Sequence, residues 1–517
     1  MRPDKLVLVV VDSLRTDMLE RTVEAGEAPN FAALLERGTL VRDCVSTFPS
    51  VTPVANSEIA TGAAPSEHWI SGMNWYSRLE RRYVEYGSSL EATRAFGLFR
   101  TLYDVVYNMN LGHLSPNTPT IFEQLGDEGV RTACTPFLIY RGRRRHQLSL
   151  EGMMRRVALA ANFRHAVWGP DELFYGELYA SRRVPCKPTM ARPGTRDAYS
   201  ACVGAELVAD DLFDFMLLGL PDNDYHSHRY GPEAQVESIA HADRSFGEIV
   251  DAAGGMDDFL RRYAVILTAD HAQTPVDHNL PLIESLSADW RVLQPNSERP
   301  EEAELAVSPI ARAGGVYVLT EEERNRDTHE RVRAHLHELD GVDLVAWLSD
   351  EEGAPLLRRG AGSPDPTRVQ AVVESDGGTL RFRPGRGAAD ERGVRWTLQG
   401  ELGVLDAELS GRRVRSDAYP DGLGRLWSAL MAPNAGDVVL SAAVGYECVD
   451  WGGTSHVPGG SHGSLERGDS VGPLLFVGCE PGSERRGRKA AERPWTLRDI
   501  AGLVLGYFGA GSNGRPA

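Results

Sequence analysis

The chain has no long hydrophobic run. Its longest apolar stretches, LVLVVV at 6–11 and DFMLLGL at 214–220, are far shorter than the roughly 20 residues that span a membrane, so we expect no transmembrane helix. A strand-like run begins by Lys5 and leaves no room for the n-region, h-region and cleavage site of a secretory signal. The sequence therefore predicts a cytoplasmic location.

Cysteine is scarce and unpaired along the sequence. Several of the six cysteines lie in apolar runs, where Cys behaves as a small hydrophobic residue, and none forms a C-x-x-C pair. The pattern predicts free thiols in a reducing compartment. The residues are Cys44, Cys134, Cys186, Cys202, Cys448 and Cys479.

Basic residues are fewer than acidic ones. The 55 Lys and Arg against 73 Asp and Glu give a formal net charge of -18, which repels a nucleic-acid backbone. We therefore expect no nucleic-acid polymer as a partner. One basic cluster, YRGRRRHQ at 140–147, has two interpretations, a solvated surface segment or a positive rim for an anionic substrate. Association into a homo-oligomer stays open.

The hydrophobic pattern predicts an α/β fold. With 517 residues, 42% of them hydrophobic, the chain can bury a large core. KLVLVVVD at 5–12 suits a buried strand, and PNFAALLERG at 29–38 suits a helix. Further short apolar runs suit strands covered on both faces. We predict a mostly parallel central sheet with helices on both faces. The further runs are 130–139, 214–220, 263–268, 438–440 and 473–477.

Two segments interrupt this pattern. Residues 77–117 are rich in aromatics and predict a helical insertion with one apolar stripe, Phe96, Phe99, Tyr103 and Val106. A charged and Gly-rich segment with alternating runs follows later and predicts an inserted, β-containing cap subdomain. The predicted organisation is a catalytic core of 1–286 and 422–508, a cap of 287–421 and a disordered tail of 509–517.

Carboxylates and imidazoles follow several predicted strands. In an open α/β sheet, ligands bind outside the carboxyl ends of the strands, so these side chains are expected to meet. Carboxylate and imidazole suit zinc, and the set is larger than one ion needs. Two ions about 4 Å apart can clamp the attacking and leaving oxygens of a phosphoryl displacement. The candidates are Asp12, Asp222, Asp224, His226, His228, Asp270, His271 and His462.

SVTPVANSEIATG at 50–62 places a Thr-Pro pair at the start of a predicted helix. Thr favours the N-cap and Pro the first helical position, so a cap alone would explain Thr52. A dication that stabilises its alkoxide would make Thr52 a nucleophile, with the positive end of the helix aimed at a bound phosphoryl group. Both roles need the same position.

Taken in order, these segments resemble the alkaline phosphatase superfamily, and within it the nucleotide pyrophosphatase/phosphodiesterase branch. The matching pieces are LVVVDSLRTDML, PNFAALLERGTLVRD, FPSVTPVANSEIATGAAPSEHWISGMNWY, TPTIFEQLGDEGVRTA, PDNDYHSHRYGP, LTADHAQT and GGSHGSL. The insertions at 77–117 and 287–421 match nothing in this pattern.

The resemblance implies a site with two zinc ions. One ion would be held by Asp224, His228 and His462, and the other by Asp12, Asp270 and His271, with Thr52 between them as nucleophile and metal ligand. Asn74 resembles the family's asparagine that contacts a non-bridging phosphoryl oxygen, with Asn56 as the alternative. Asp222 and His226 are expected to be alternates or to orient the ligands.

The implied activity is hydrolysis of a phosphodiester or pyrophosphate bond in a small-molecule phosphate ester or phosphoanhydride, through a covalent phospho-threonine. A phosphonate hydrolase or a phosphomonoesterase on the same residues stays open. A sulfatase would need Cys or Ser followed by x-Pro-x-Arg, whereas this chain reads TPVAN at 52–56. A non-catalytic binding module would be expected to have lost at least one ligand.

Overall fold

The computed structural model describes residues 3–150, 155–156, 159, 163–176, 178–186, 195–358, 360, 362–481 and 493–510. At its centre lies a nine-stranded sheet in the order β25-β2-β24-β11-β1-β10-β5-β8-β9. Its strands are β1 (Lys5–Val11), β2 (Thr39–Val45), β5 (Thr132–Cys134), β8 (Glu172–Tyr175), β9 (Tyr179–Ala180), β10 (Phe215–Leu220), β11 (Tyr263–Thr268), β24 (Val471–Val477) and β25 (Trp495–Thr496).

The predicted α/β fold with a mostly parallel sheet is confirmed. β1 lies between β10 and β11 and pairs in parallel with both, while β24 runs antiparallel to β11 and β2. All residues of β10 and β11 are buried. These strands are continuous apolar runs because helices cover both faces of the sheet.

A second sheet of nine strands is mainly antiparallel. It includes β21, which pairs with β14 and β15, so the apolar run at 438–440 is not a strand of the central sheet. The predicted boundary at residue 421 therefore does not coincide with the edge of this sheet. Its strands are β13 (Leu305–Ile310), β14 (Ala313–Val318), β15 (Val342–Asp350), β16 (Val369–Ser375), β17 (Gly378–Ala389), β18 (Arg395–Gly400), β19 (Ala407–Ser410), β20 (Arg413–Ser416) and β21 (Val438–Ala442).

The remaining named strands form three small sheets. They contain β3 (Asn74–Ser77) with β4 (Arg82–Glu85), β6 (Arg144–His146) with β7 (Val167–Gly169), and β12 (Thr274–Leu280) between β22 (Gly445–Cys448) and β23 (Gly459–Ser461).

The helices lie between and around these sheets. No helix among the described residues is both long and apolar enough to cross a membrane. They are α1 (Thr16–Glu24), α2 (Pro29–Arg37), α3 (Thr52–Thr61), α4 (Pro65–His68), α5 (Leu90–Phe96), α6 (Leu98–Tyr103), α7 (Ile121–Asp127), α8 (Thr195–Ala209), α9 (Asp222–Tyr230), α10 (Gln235–Ala252), α11 (Met256–Arg262), α12 (Leu282–Ser287), α13 (Asn325–His337), α14 (Gly422–Met431), α15 (Arg467–Ser470) and α16 (Arg498–Tyr507), with a π-helix at Asp104–His113.

The insertion at 77–117 contains helices, as predicted, but also β4. Its stripe is not one packing face: Phe96 and Val106 are buried, whereas Phe99 is 58% exposed. The two short helices α5 and α6, which meet at Gly97, break the continuous helical periodicity on which the stripe depends. Of the predicted disordered tail, Ala510 is buried, and residues 511–517 lie outside the described part of the chain.

The prediction that all cysteines are free thiols is wrong for one pair. Cys186 and Cys202 form a disulfide with their Cα atoms 5.8 Å apart. Disulfide formation depends on the distance between two cysteines in the fold. These two are 16 residues apart in the sequence, so they lack the C-x-x-C spacing that would have indicated a pair. The argument for a reducing compartment loses its basis, because such bonds persist mainly in oxidising compartments.

Candidate metal centre and nucleophile

The central sheet brings the first ligands together by strand register. Val11, the last residue of β1, pairs with Leu220 at the end of β10, and Val10 pairs with Thr268 at the end of β11. Asp12, the start of α9 and Asp270 therefore emerge at the same edge of the sheet. This is the edge at which ligands bind in open α/β sheets.

His462 joins them through the small sheet. β12 begins shortly after His271, and Thr274 pairs antiparallel with Ser461 of β23. α9 packs so closely on β23 that a Cβ on Gly459 would lie 2.2 Å from the His228 carbonyl oxygen. Glycine permits this close approach, which places His228 next to His462.

The predicted ligands form two groups. We name Asp12, Asp270 and His271 the buried group, and Asp224, His228 and His462 the cavity-side group. Within each group, one potential ligand atom per residue lies within 4.8 Å of the others. The rings of His271 and His462 stack with their centroids 3.8 Å apart, so the two groups adjoin.

In the buried group, the His271 Nε2 atom lies 3.6 Å from Asp12 Oδ1 and 3.4 Å from Asp270 Oδ2. Both of these carboxylate oxygens are buried without a hydrogen-bond partner. Buried carboxylate oxygens are costly unless a hydrogen bond or a cation compensates them. The donor set therefore fits a dication.

In the cavity-side group, Asp224 Oδ1 lies 3.4 Å from His228 Nε2 and 3.6 Å from His462 Nε2. His228 and His462 also line a cavity of about 270 Å³. The side chains of Asp224 and His228 are 20% and 14% exposed, whereas those of Asp270 and His271 are 1% and 0% exposed.

The ring nitrogens that face away from each group contact backbone carbonyls. His228 Nδ1 lies 2.8 Å from Gly460 O, His462 Nδ1 2.8 Å from Ser50 O, and His271 Nδ1 3.2 Å from Ala272 O. A proton on Nδ1 donates to the carbonyl and leaves the Nε2 lone pair for a metal, as is usual for metal-binding histidines.

Electrostatics match these roles. Burial, and then the carboxylates of Asp270 and Asp224, raise the pKa of Asp12 well above its usual value. Burial and the neighbouring His271 imidazole lower the pKa of His462 well below its usual value. The clustered acids repel one another, and a cation between them would relieve that repulsion, while the neutral form of His462 leaves its Nε2 lone pair for such a cation.

Two residues beside the ligands were not predicted. Ser13 donates its N–H to Asp270 Oδ1 at 3.1 Å and its hydroxyl to Asp224 Oδ1 at 2.6 Å, so it bridges the two groups. Gln273 Nε2 donates to the same Asp224 oxygen at 2.6 Å. Both stand inside the motifs VVDSL and ADHAQT, one and two residues from a ligand, which is the signal that could have identified them.

Thr52 lies beside the buried group. Its Oγ1 atom is 3.2 Å from His271 Nε2. The prediction that Thr52 is the N-cap of its helix is wrong: Val51 is the N-cap and makes no side-chain cap bond, so Thr52 is the first residue of α3. Pro53 fits the first turn equally well one position later, because its missing N–H is not needed there.

Asn74 and Asn56 are both buried. Asn74 is the first residue of β3, and its Nδ2 donates to the Pro309 carbonyl at 2.6 Å. Asn56, the alternative to Asn74, has a buried Oδ1 without a hydrogen-bond partner, and nearly every other residue of α3 is also buried.

Asp222 and His226 contact other parts of the chain. Asp222 accepts hydrogen bonds from Arg196 Nε and from Asp197 N, each at 3.0 Å. The His226 ring contacts the Tyr230 ring, with the centroids 4.8 Å apart and the planes tilted by 46°. They belong to neither ligand group. Each stands two positions from Asp224 in α9, and residues two apart in a helix lie on nearly opposite faces, so Asp222 and His226 point away from the face that carries Asp224 and His228.

Arginines of the basic cluster at 140–147 form ion pairs with nearby acidic residues. Arg141 and Arg143 pair with Glu123, and Arg144 pairs with Asp171. These contacts explain the cluster as a surface structural element.

Comparison with known proteins identifies relatives. A family model described as type I phosphodiesterase / nucleotide pyrophosphatase matches residues 6–372. Alkaline phosphatase PafA of Elizabethkingia meningoseptica is 31% identical over 130 residues, which are 24% of this chain and 22% of that protein. The match thus spans less than a quarter of the relative's length.

Solved structures share the fold over nearly the whole chain. Murine ectonucleotide pyrophosphatase/phosphodiesterase 5 superposes with a TM-score of 0.56 at 12% identity, covering 99% of this chain and 97% of that one. Phosphonoacetate hydrolase from Sinorhizobium meliloti, in complex with phosphonoformate, gives 0.53 at 17% identity, covering 98% and 96%.

Proposed function

The chain belongs to the type I phosphodiesterase/nucleotide pyrophosphatase family, and we propose that it cleaves a phosphodiester or phosphoanhydride through a covalent intermediate on Thr52. The observation that carries this proposal is the Thr52 hydroxyl, which lies 3.2 Å from His271 Nε2 at the junction of two ligand groups. A small-molecule phosphate ester or phosphoanhydride is the proposed substrate.

The buried group would hold one dication and the cavity-side group a second. Zinc suits the mixture of imidazole and carboxylate donors. When bound, such ions favour deprotonation of a hydroxyl and neutralise phosphoryl charge.

The chain's own residues perform the displacement. Thr52 Oγ1 attacks phosphorus and its proton passes to solvent, while the bond from phosphorus to the leaving oxygen breaks and that oxygen takes up a proton from solvent. Water then cleaves the bond from phosphorus to Oγ1 and restores the threonine. The N–H groups of Val54 and Ala55 already donate to Val51 O, so among the described residues of the first turn the Thr52 N–H remains for the phosphoryl group. Asn74 remains the predicted contact for a non-bridging oxygen.

Two related activities use the same residues. A phosphonate hydrolase is supported by the fold shared with phosphonoacetate hydrolase, and a phosphomonoesterase by the local identity to an alkaline phosphatase. The cytoplasmic location predicted from the sequence remains an expectation, and the Cys186–Cys202 disulfide argues against it.

Trapping the intermediate tests the proposal. The zinc-loaded protein is mixed with bis-p-nitrophenyl phosphate, quenched in acid during turnover and analysed by peptide mass spectrometry. We expect a phosphoryl adduct on Thr52 that is absent from Thr52→Ala. Turnover with the adduct on another residue, or with no adduct in a rapid-quench series and no activity loss in Thr52→Ala, would contradict it.

A further inference from the structure

A cavity adjoins the candidate metal centre. It has a volume of about 270 Å³ and is bounded by the cavity-side ligands His228 and His462 and by Val51, the neighbour of Thr52. Part of its lining is apolar, namely Met73, Pro309 and Ile310. The volume is below the range typical of sites for drug-sized ligands, so a small group fits it.

The cavity lies on the side of the centre away from the nucleophile's own ligand. Thr52 contacts His271 of the buried group, whereas His228 and His462 of the other group line the cavity. In an in-line phosphoryl displacement the attacking and leaving oxygens stand at opposite sides of phosphorus. A substrate attacked by Thr52 therefore directs its leaving group towards the cavity.

One wall of the cavity carries a histidine in a fixed orientation. His456 is held by Glu447, whose Oε1 lies 2.6 Å from His456 Nδ1 and whose Oε2 accepts the His456 N–H at 2.6 Å. Ser461 Oγ also donates to Glu447, at 2.6 Å. The His456 ring stacks on His228 with the centroids 3.7 Å apart. Because Nδ1 is engaged, Nε2 is the ring nitrogen available to a ligand.

Other residues of the lining supply hydroxyls and a carboxylate. Ser88 and Ser89 donate to Asp450 Oδ2 at 2.7 and 3.0 Å, and Glu91 lies beside them in the lining. The described lining residues include three carboxylates, Glu91, Glu447 and Asp450, and no Lys or Arg. Such walls accept hydrogen bonds from hydroxyl groups and offer a phosphate no Lys or Arg among the described lining residues.

We propose that this cavity binds the leaving alcohol of a phosphodiester, that this alcohol bears a free hydroxyl and no phosphate of its own, and that His456 determines this specificity by contacting the hydroxyl. The inference rests on the proposed function and narrows it. A nucleoside polyphosphate, whose leaving group is itself a phosphate, is disfavoured.

Symmetric substrates test the proposal, because both of their alcohols are identical. Bis-glycerol phosphate and dipropyl phosphate differ in the hydroxyls of both alcohols, so the leaving alcohol differs whichever ester bond breaks, and ATP supplies a phosphate-bearing leaving group. We expect zinc-loaded wild type to cleave bis-glycerol phosphate with kcat/KM at least about tenfold above its value for ATP.

Substitution of His456 separates specificity from support of the metal site. In His456→Phe, which keeps an aromatic ring against His228, we expect kcat/KM for bis-glycerol phosphate to fall at least about tenfold more than for dipropyl phosphate, mainly through KM. His456→Gln, which keeps an N–H donor, restores part of the difference. The matched control is His337→Phe, because His337 also pairs with a glutamate, Glu374 at 2.9 Å, but does not line the cavity. Zinc content and melting temperature are measured for each variant.

Each outcome has one meaning. Three results would overturn the specificity assignment and leave the proposed phosphoryl transfer intact. They are an equal loss of kcat/KM on both diesters in His456→Phe, a loss of zinc in His456→Gln, and a preference of wild type for ATP. If wild type cleaves none of the three substrates and also fails on bis-p-nitrophenyl phosphate, the proposed function itself fails.

Discussion

The buried group and the cavity-side group contain nearly the same residue types in different surroundings. In the buried group, Asp12 Oδ1 and Asp270 Oδ2 have no hydrogen-bond partner. In the cavity-side group, Asp224 Oδ1 already accepts bonds from Ser13 and Gln273. Histidines lower the pKa of Asp224 despite its burial, whereas burial raises the pKa of Asp12.

This difference indicates a division of roles. The enclosed group, with free carboxylate oxygens and Thr52 beside it, is suited to hold an ion tightly and to activate a nucleophile. The cavity-side group, whose carboxylate is shared with two donors, contributes His228 and His462 to the cavity lining and is suited to the side that receives a leaving group. Variants that act on one group, on the other, or on the bridge between them can test this interpretation.

The largest effect is expected from Thr52→Ala. The covalent route disappears, so we expect turnover to fall by at least about 10³-fold, while zinc binding by the other ligands and the folded state persist. Thr52→Ser keeps a hydroxyl and should retain part of the activity. Steady-state kinetics on bis-p-nitrophenyl phosphate provide the measurement. If Thr52→Ala keeps turnover within about tenfold of wild type, which corresponds to a barrier change near 1.4 kcal/mol, Thr52 is not the nucleophile.

A ligand variant in the cavity-side group should separate the two sites. His462→Ala removes one of three protein ligands there, so we expect zinc to fall from two ions towards one per chain and activity to fall by about 100-fold or more. Elemental analysis and kinetics are measured on the same sample, with His337→Ala as the matched control. Full zinc occupancy in a folded but inactive His462→Ala variant would instead assign His462 a contact with the substrate.

The sequence predicted which six side chains the fold would bring together as two candidate ligand groups, because each follows a strand or stands in a short motif. Asp12 and Asp270 needed only the rule that parallel strands end at the same edge of the sheet. His456 could not be found in this way, since its role depends on Glu447 and on stacking against His228, which are contacts made only in the fold. The same applies to the Cys186–Cys202 disulfide and to β21, whose apolar run also suits a central strand but pairs in the second sheet.

Substitution of Ser13, which hydrogen-bonds to both ligand groups, is expected to reduce activity by an intermediate amount. Ser13→Ala removes the hydroxyl bonded to Asp224 at 2.6 Å, but keeps the Ser13 backbone N–H bond to Asp270. We expect activity or affinity for the cavity-side zinc to fall by about 10- to 100-fold, as for other residues that orient ligands. Chelator titration should remove one of the two ions more readily than in wild type.

An unchanged chelator profile in Ser13→Ala, together with wild-type kinetics, would show that Ser13 does not couple the groups. Ser13→Thr serves as the comparison because it keeps the hydroxyl. Ser13 has a positive φ of 59°, which a β-branched residue adopts poorly, so melting temperature is measured to separate backbone strain from loss of the hydroxyl.

The smallest effect, and the one that depends most on the asymmetry of the two groups, is a preference for diesters over monoesters. A monoester dianion carries one more negative charge, and no Arg or Lys is among the described residues that line the cavity. The carboxylates of the cavity, Glu91, Glu447 and Asp450, further disfavour that charge. We expect kcat/KM for bis-p-nitrophenyl phosphate to exceed that for p-nitrophenyl phosphate by at least about tenfold at equal zinc and pH. The variant Asp450→Asn lowers the negative charge of the cavity lining. We expect it to raise kcat/KM for the monoester and so to lower the ratio of diester to monoester kcat/KM. A clear monoester preference in wild type would mean that a cationic group outside this lining reaches the phosphoryl site and neutralises the extra charge.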